Sequence, residues 1–176
     1  MTRYTTKYDP LFEKHVAEFF AGGIDWRVIK AQAIAESGLD PMAVSPAGAR
    51  GMMQIMPATG EWIARRLGVT WLPFLPELSI RVGIAYDLHC FKLIKKAGAL
   101  PGDDGLDQFR LMFGAYNAGP GNILKAAKLA RELTWAGVRA HINKVTGGHA
   151  AETINYVARI EREYRLLARQ QGEGME

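Results

Sequence analysis

The stretch from Ala33 to Gly60 reads AIAESGLDPMAVSPAGARGMMQIMPATG and joins the end of a helix to a loop and an apolar turn. One acid, Glu36, lies on the apolar stripe of that helix. A carboxyl group among apolar side chains costs free energy unless it is paired or serves a chemical purpose. General acid catalysis by a carboxyl group that is held protonated is a purpose that fits this position.

The helix that carries Glu36 is predicted to run from Trp26 to Ser37, with Asp25 as its N-cap and Gly38 as its end. One stripe of this helix contains Trp26, Ile29, Ala33 and Glu36. The other faces are apolar as well, so we expect a central, buried helix. Glu36 lies in the last turn, at the negative end of the helix dipole, so we expect its pKa to be raised. The alternative is a glutamate that bends out to solvent beside Gly38.

Helical periodicity covers most of the chain, whereas alternating strand patterns are scarce. Helices are predicted near residues 10–21, 26–37, 57–67, 77–97, 106–117, 122–131, 134–145 and 151–170. In the fourth of these, the inner face is predicted to hold Leu78, Val82, Ala85, Leu88 and either Phe91 or Lys92. Only the stretch from Gly51 to Ile55 suggests a short extended piece. The predicted fold class is therefore all-α.

The length of 176 residues suits one domain with a real core, which we expect to cover 1–176 with its motifs between about 24 and 170. With 48% apolar and 23% charged residues, the composition excludes extensive disorder. The flexible tails are expected at Met1 to Tyr8 and at Gln171 to Glu176.

The net charge of +4 suits an anionic partner such as nucleic acid or bacterial cell wall. Near the C-terminus, however, basic and acidic side chains alternate: Arg159, Arg162, Arg165 and Arg169 with Glu161 and Glu163. This alternation indicates a solvated helix face, so we expect no nucleic-acid partner.

The chain shows no apolar signal segment near Met1 and no run long enough to span a membrane. Its one cysteine, Cys90, excludes an internal disulfide. The four histidines are scattered, and none has the spacing of a zinc site. We therefore expect neither a metal nor another cofactor.

Two clusters follow Glu36 in the same half of the chain. Ser45 could orient a substrate group, although a turn serine is the commoner explanation. The turn from Gly51 to Pro57 places Met52, Met53 and Met56 around Gln54. Flexible methionines around one amide suit the binding of sugar rings, and the alternative is a core turn with adaptable packing.

Two more clusters lie in the second half. Tyr116 and Asn117 are placed at a helix end beside Gly119, where the backbone can approach a ligand closely, although an ordinary helix stop is also consistent. Glu152 and Tyr156 open the last helix, and Glu152 could simply complement the positive end of that helix.

Taken in order, these strings resemble the motifs of the soluble lytic transglycosylase (SLT) catalytic domain, in glycoside hydrolase family 23, which also contains goose-type lysozymes. The matching strings are Glu36-Ser37, Gly51-x-Met-Gln-Ile-Met-Pro57, Ala115-Tyr-Asn-Ala-Gly-Pro120 and Glu152-Thr-x-x-Tyr-Val157. Four motifs in order are far more specific than any one alone. The resemblance implies a lysozyme-like α-rich domain with a substrate cleft.

The resemblance also implies residue roles. Glu36 is the sole catalytic acid and base, and Ser45 helps to place the N-acetyl group of the substrate. Gln54 and Met56 line the cleft.

In the second half of the chain, the resemblance implies that Tyr116 and Asn117 line the cleft near the acid, with Tyr116 bonding toward Glu36. Glu152 and Tyr156 match the final motif, and Glu152 is expected to be either a buried residue behind the cleft or a residue of the cleft itself.

A single acid suffices if the substrate supplies the nucleophile, whereas ordinary glycosidases use two carboxylates. The nearest other acid, Asp40, precedes a proline and is typical of a turn. We therefore expect a lyase that cleaves the MurNAc–GlcNAc β-1,4 bond of peptidoglycan and leaves a 1,6-anhydromuramic end. The alternatives are a hydrolase of the same fold and a wall-binding structural component without turnover.

The expected partner is the glycan strand of peptidoglycan, and the expected state is a monomer. We expect the protein to act on the cell wall, in the periplasm. With no signal peptide in the chain, it would be either a phage virion or lysis enzyme, or a bacterial wall enzyme stripped of its leader.

Overall fold

The computed structural model describes residues 4–102 and 104–172. Helices account for most of the regular structure in these residues. In chain order they are α1 (Asp9–Phe20), α2 (Trp26–Ser37), α3 (Pro57–Arg66), α4 (Pro76–Lys96), α5 (Asp107–Ala118), α6 (Pro120–Ala130), α7 (Trp135–His141), α8 (Asn143–Thr146), a short 3₁₀ helix (Gly147–His149) and α9 (Ala150–Gly172). The all-α prediction is confirmed. None of the described helices is both long and apolar enough to cross a lipid bilayer.

The chain divides into two compact units, which are described separately. The first unit runs to Ala85 and includes the chain from Ile160 onward, and the second spans Tyr86–Arg159. The core of the first unit is built from side chains without solvent exposure, such as Phe12, Ile29, Met52, Met53 and Ile80.

Ion pairs on the surface of the first unit join α1 to α4. Lys14 Nζ lies 2.6 Å from Glu77 Oε1, and Arg81 Nη2 lies 2.7 Å from Glu18 Oε1. The N-terminal tail was predicted to be flexible, but it is anchored at Tyr4. The Tyr4 hydroxyl donates a hydrogen bond to Glu163 Oε2 at 2.9 Å. Glu163 is only 1% exposed, so the prediction of a solvated face is wrong at this residue.

The core of the second unit is apolar, with Leu111, Met112, Ile123, Val138 and Val157 fully buried. The predicted helix over 134–145 divides at Ile142 into α7 and α8. The Ile142 N–H donates to the Val138 carbonyl at 2.8 Å, and the Ile142 carbonyl accepts from Val145 N and Thr146 N, both at 2.9 Å. At the C-terminus, α9 continues to Gly172, so the start of the predicted second tail is helical. The rest of the two tails, residues 1–3 and 173–176, lies outside the described residues.

Candidate active site

Glu36 lies in the last turn of α2, whose bounds match the predicted helix. Asp25 Oδ1 accepts from the backbone N–H of Arg27 at 3.0 Å, and Gly38 takes the left-handed C-cap conformation at φ 68°. Ile29 and Ala33 on the Glu36 stripe are fully buried, while Glu36 itself is half-buried. The carboxyl group therefore lies at the boundary of the first unit's core and not on a fully solvated face.

The turn that follows is joined to the end of α2 by Ser37. The Ser37 hydroxyl donates to the Met52 carbonyl at 2.8 Å. Met53 N donates to the buried Ser79 Oγ at 3.2 Å, which fixes the same turn from α4. These bonds hold the last turn of α2, and with it Glu36, against the turn from Gly51 to Ile55. Ser37 and Ser79 were not among the predicted site residues.

Gly51 is required by the geometry of this turn. Its φ is +74°, and a Cβ at this position would lie 1.9 Å from the Pro73 carbonyl oxygen. The piece predicted to be extended, 51–55, is a turn, and only its last residue, Ile55, forms an isolated bridge, with Arg50.

The three methionines of the turn divide into two environments. Met52 and Met53 have no solvent exposure, whereas Met56 is 46% exposed. Met53 packs on Gly83, where a Cβ would lie 2.8 Å from Met53 Cγ. The prediction that three methionines form a binding wall is therefore wrong for Met52 and Met53, because both side chains are buried in the hydrophobic core. Met56 remains accessible in the first unit.

Gln54 has a positive φ of 47°, which is uncommon for a residue other than glycine. Its Nε2 donates to the carbonyls of Gly51 at 2.8 Å and Ala43 at 3.1 Å. The amide therefore uses both N–H donors to close the turn, and only its carbonyl oxygen can serve a ligand. Backbone strain of this kind is frequent at functional sites.

Ser45 and Asp40 both have turn roles in the loop after α2. Ser45 Oγ accepts from Ala49 N at 3.0 Å, and Asp40 Oδ1 accepts from Met42 N at 2.8 Å. The prediction that Asp40 serves a turn is confirmed. Because the Ser45 oxygen acts as an acceptor, its hydroxyl hydrogen can still be donated elsewhere.

In the second unit, Asn117 near the end of α5 bonds to α9. Its Oδ1 accepts from the Thr153 hydroxyl at 2.7 Å, and Thr153 is only 2% exposed. Thr153 was not among the predicted site residues. The helical spacing of Thr153, Tyr156, Val157 and Ile160, all buried, is the signal that would have identified it.

By the same helical spacing, Glu152 lies outside the buried face of α9. Its side chain is 68% exposed and lies 3.7 Å from His149 Nδ1. Burial of Glu152 behind the cleft is therefore wrong, because this residue lies one position before the buried row that starts at Thr153. Its place in a cleft stays a prediction. Its place in the first turn of α9 fits the helix-end alternative.

Tyr116 packs on a second tyrosine that the sequence analysis did not identify. The rings of Tyr116 and Tyr86 have centroids 5.1 Å apart, and Tyr86 stacks on His89 at 6.1 Å. Burial raises the pKa of Tyr86 above its ordinary value. Tyr116 and Tyr156 are both buried, at 9% and 8% exposure.

Comparison with protein families identifies a match over residues 19–135 to the model of the transglycosylase SLT domain. The chain is 34% identical to "Membrane-bound lytic murein transglycosylase F" of Yersinia enterocolitica over 88% of the chain and 32% of that protein. It is 39% identical to the protein of that name from Histophilus somni over 72% of the chain and 23% of that protein. The chain thus spans a third or less of these curated relatives.

Two solved structures share the fold. An inactive mutant of the lytic transglycosylase Slt from Pseudomonas aeruginosa matches with a TM-score of 0.74 and 23% identity, over 97% of this chain and 25% of that one. The 70-kDa soluble lytic transglycosylase of Escherichia coli matches with a TM-score of 0.70 and 23% identity, over 94% of this chain and 25% of that one.

Proposed function

The chain belongs to the transglycosylase SLT domain family, and we propose that it is a peptidoglycan lytic transglycosylase that acts on the glycan strands of the cell wall. The observation that carries the proposal is the placement of Glu36. It is a half-buried acid at the end of α2, held through Ser37 against the strained turn of Gly51 and Gln54. No second acid of the loop is comparably placed, since Asp40 is exposed and caps a turn.

The proposed reaction cleaves the β-1,4 bond between MurNAc and GlcNAc. Glu36 donates its proton to the glycosidic oxygen while the 2-acetamido oxygen of MurNAc attacks C1. The carboxylate then removes the proton from the 6-hydroxyl, whose oxygen attacks C1 and displaces the acetamido oxygen. A 1,6-anhydromuramic end results, water is not consumed, and Glu36 regains its proton. The dipole at the C-terminal end of α2 favours the protonated acid with which the cycle begins.

Three further residues of the first unit have proposed roles, which hydrogen bonds support for Ser45 and Gln54 and exposure supports for Met56. The Ser45 hydroxyl can donate to the acetamido oxygen, because toward Ala49 its oxygen acts only as an acceptor. Gln54 can accept from a sugar hydroxyl through Oε1, since both its N–H groups are bonded to the turn. Met56 offers an exposed apolar surface to a sugar ring.

In the second unit, Tyr116, Asn117 and Tyr156 are proposed to contact the glycan. The bond from Thr153 orients the Asn117 amide, and the Tyr86 ring supports Tyr116. Glu152 is proposed to contact the substrate from an exposed position and not as a buried residue. A hydrogen bond from Tyr116 toward Glu36 stays a prediction.

The test is mass spectrometry of the soluble products after digestion of purified peptidoglycan. We expect anhydromuramic ends from the wild type and a loss of at least about 100-fold in Glu36→Gln. Asp40→Asn and Glu61→Gln are matched controls, because each neutralises an exposed acid of the first unit. Both should retain activity.

Three results would contradict the proposal. Reducing-end products one water heavier would indicate a hydrolase of the same fold. Equal digestion by the wild type and Glu36→Gln would remove Glu36 from the chemistry, and no product from either would favour a wall-binding component.

A further inference from the structure

A groove of about 550 Å³ lies in the second unit, where α6 and α8 both contribute to its wall. Its lining residues are Asn122, Lys125, Lys128, Leu129, Lys144 and Val145. The volume falls within the range of roughly 300–1,000 Å³ that is usual for small-ligand sites. None of these residues belongs to the motifs discussed above.

The groove lies in the segment that carries the net charge of the protein. Residues 120–149 contain five lysines and arginines but one acid, Glu132. The whole chain has a net charge of +4, so the acidic and basic side chains outside this segment balance. The positive potential is therefore concentrated on the helices that form the groove.

The three lysines of the groove differ from other lysines of the protein. In the first unit, Lys14 is paired with Glu77 and Lys30 with Asp9. Within the described part of the chain, no ion pair or hydrogen bond engages the ammonium groups of Lys125, Lys128 and Lys144. Lys125 and Lys128 are one helical turn apart, so their charges repel each other until an anion lies between them. An anionic ligand would relieve that repulsion.

The remaining lining residues restrict the kind of anion. Leu129 is 50% exposed and Val145 half-buried, which gives the groove an apolar strip beside its charges. Single-stranded nucleic acid is usually bound along an extended basic track with aromatic stacking residues. The lining of this groove contains no aromatic residue and no arginine. The chemistry fits a short, flexible chain that combines carboxylates with small apolar groups.

We propose that this groove binds the carboxylate-bearing stem peptides attached to the peptidoglycan strand, an inference that rests on the proposed function. The lysine ammonium groups pair with the peptide carboxylates, while Leu129 and Val145 contact its small apolar side chains. A second attachment to the same polymer raises the local concentration of glycan around the domain without any new contact to the sugar. Binding through exposed charges of this kind weakens as salt rises.

The test measures binding separately from cleavage, in a Glu36→Gln background. One variant carries Lys125→Gln, Lys128→Gln and Lys144→Gln. The matched control carries Lys92→Gln, Lys95→Gln and Lys96→Gln, three exposed lysines of α4 in the same unit with the same change in charge. Co-sedimentation is measured with purified peptidoglycan freed of phosphate polymers, both intact and after an amidase has removed the stem peptides.

We expect the groove variant to bind intact peptidoglycan about tenfold more weakly, as three exposed ion pairs would predict. The control should change less than about twofold, and the two should bind peptide-free glycan equally. Equal losses of binding in the two variants would show that the effect comes from general surface charge, and would overturn the proposal. A loss that is the same on peptide-free glycan, or that occurs only on walls that retain phosphate polymers, would also overturn it.

Three further measurements keep the result interpretable. Circular dichroism and thermal melting should show that both triple variants fold like the parent protein, and the single variant Lys144→Glu should weaken binding in the same direction. With Glu36 restored, the groove variant should still release anhydromuramic products from peptide-free glycan. Failure of the wild type to cleave intact peptidoglycan would count against the proposed function, whereas unchanged binding by the groove variant would count only against the groove.

Discussion

Predicted site residues lie in or beside two turns. Each turn contains a glycine with a positive φ, and the two glycines are required for different physical reasons. Gly51 in the first unit has φ +74°, and a Cβ there would strike the Pro73 carbonyl at 1.9 Å. Gly119 between α5 and α6 has φ +85°, but a Cβ there would meet open space. Packing and conformation both require glycine in the first turn, whereas only conformation requires it in the second.

The two turns also differ in the groups to which their side chains form hydrogen bonds. In the first unit, Ser37 and Gln54 donate from side chains to backbone carbonyls of the turn. In the second unit, the Thr153 hydroxyl bonds the Asn117 side chain. When a side chain that donates to the backbone of a turn is removed, the turn loses one of the hydrogen bonds that stabilise it. A bond between two side chains can be removed while both helices keep their backbones.

The largest effect should come from replacing the two glycines. We expect Gly51→Ala to lower the free energy of unfolding by about 4 kcal/mol or more, since the backbone of Pro73 must move. Gly119→Ala should cost about 1–3 kcal/mol, the price of the strained conformation alone. Urea denaturation of both variants measures the difference. Equal losses would show that the contrast between the two turns is wrong.

The next test concerns the side-chain bond of the second unit. We expect Asn117→Ala to cost about 1–3 kcal/mol, because it leaves the buried Thr153 hydroxyl without its acceptor. Thr153→Val removes the donor, so the double variant should be more stable than the sum of the two single losses predicts. Urea denaturation in a double-mutant cycle measures this coupling. Additive losses would contradict a direct bond.

A smaller effect is expected at Gln54, where side chain and backbone can be separated. Gln54→Ala loses both amide bonds and keeps the unfavourable positive φ, so we expect a cost of about 1–2 kcal/mol. Gln54→Gly loses the same bonds but relieves the backbone, so it should be more stable than Gln54→Ala by about 1 kcal/mol. Thermal melting of both variants makes the comparison. If Gln54→Gly were the less stable of the two, backbone strain would not be a cost of this turn.

The smallest effect should be the pH dependence of the surface pairs between α1 and α4. The hydrogen bond from Arg81 lowers the pKa of Glu18 below its ordinary 4.5, although burial opposes the shift. A lowered carboxyl pKa stabilises the fold above pH 4.5, and this contribution is lost as the pH falls through the lowered value. Urea denaturation between about pH 6 and pH 2 should show a stability difference between the wild type and Arg81→Gln that shrinks toward acid. A constant difference would exclude this linkage.

Local signals in the sequence were enough to predict the helix that carries Glu36. Its start and end depend on the cap residues Asp25 and Gly38, which act within a few residues of themselves. The helix predicted over 134–145 was harder, because it divides at Ile142 without a glycine or proline there that would mark the break.

Burial of polar residues was the part that the sequence did not reveal. On α4, the predicted inner face was apolar, yet Ser79 and Asp87 have no solvent exposure. The Ser79 hydroxyl can be buried because its oxygen accepts a hydrogen bond from Met53 N in the turn. Partners of this kind lie far away along the chain, so periodicity within one helix cannot indicate them.

By itself, the sequence determined the helical fold class, the ends of α2 and the order of the four motifs, because caps, periodicity and short strings are local properties. Only the tertiary structure decided which motif residues are accessible. It buried Met52 and Met53, exposed Glu152, bonded Asn117 to Thr153 and brought Lys144 to the groove of Lys125 and Lys128. The physical reason is that burial and charge depend on neighbours from distant segments, which meet only when the helices pack.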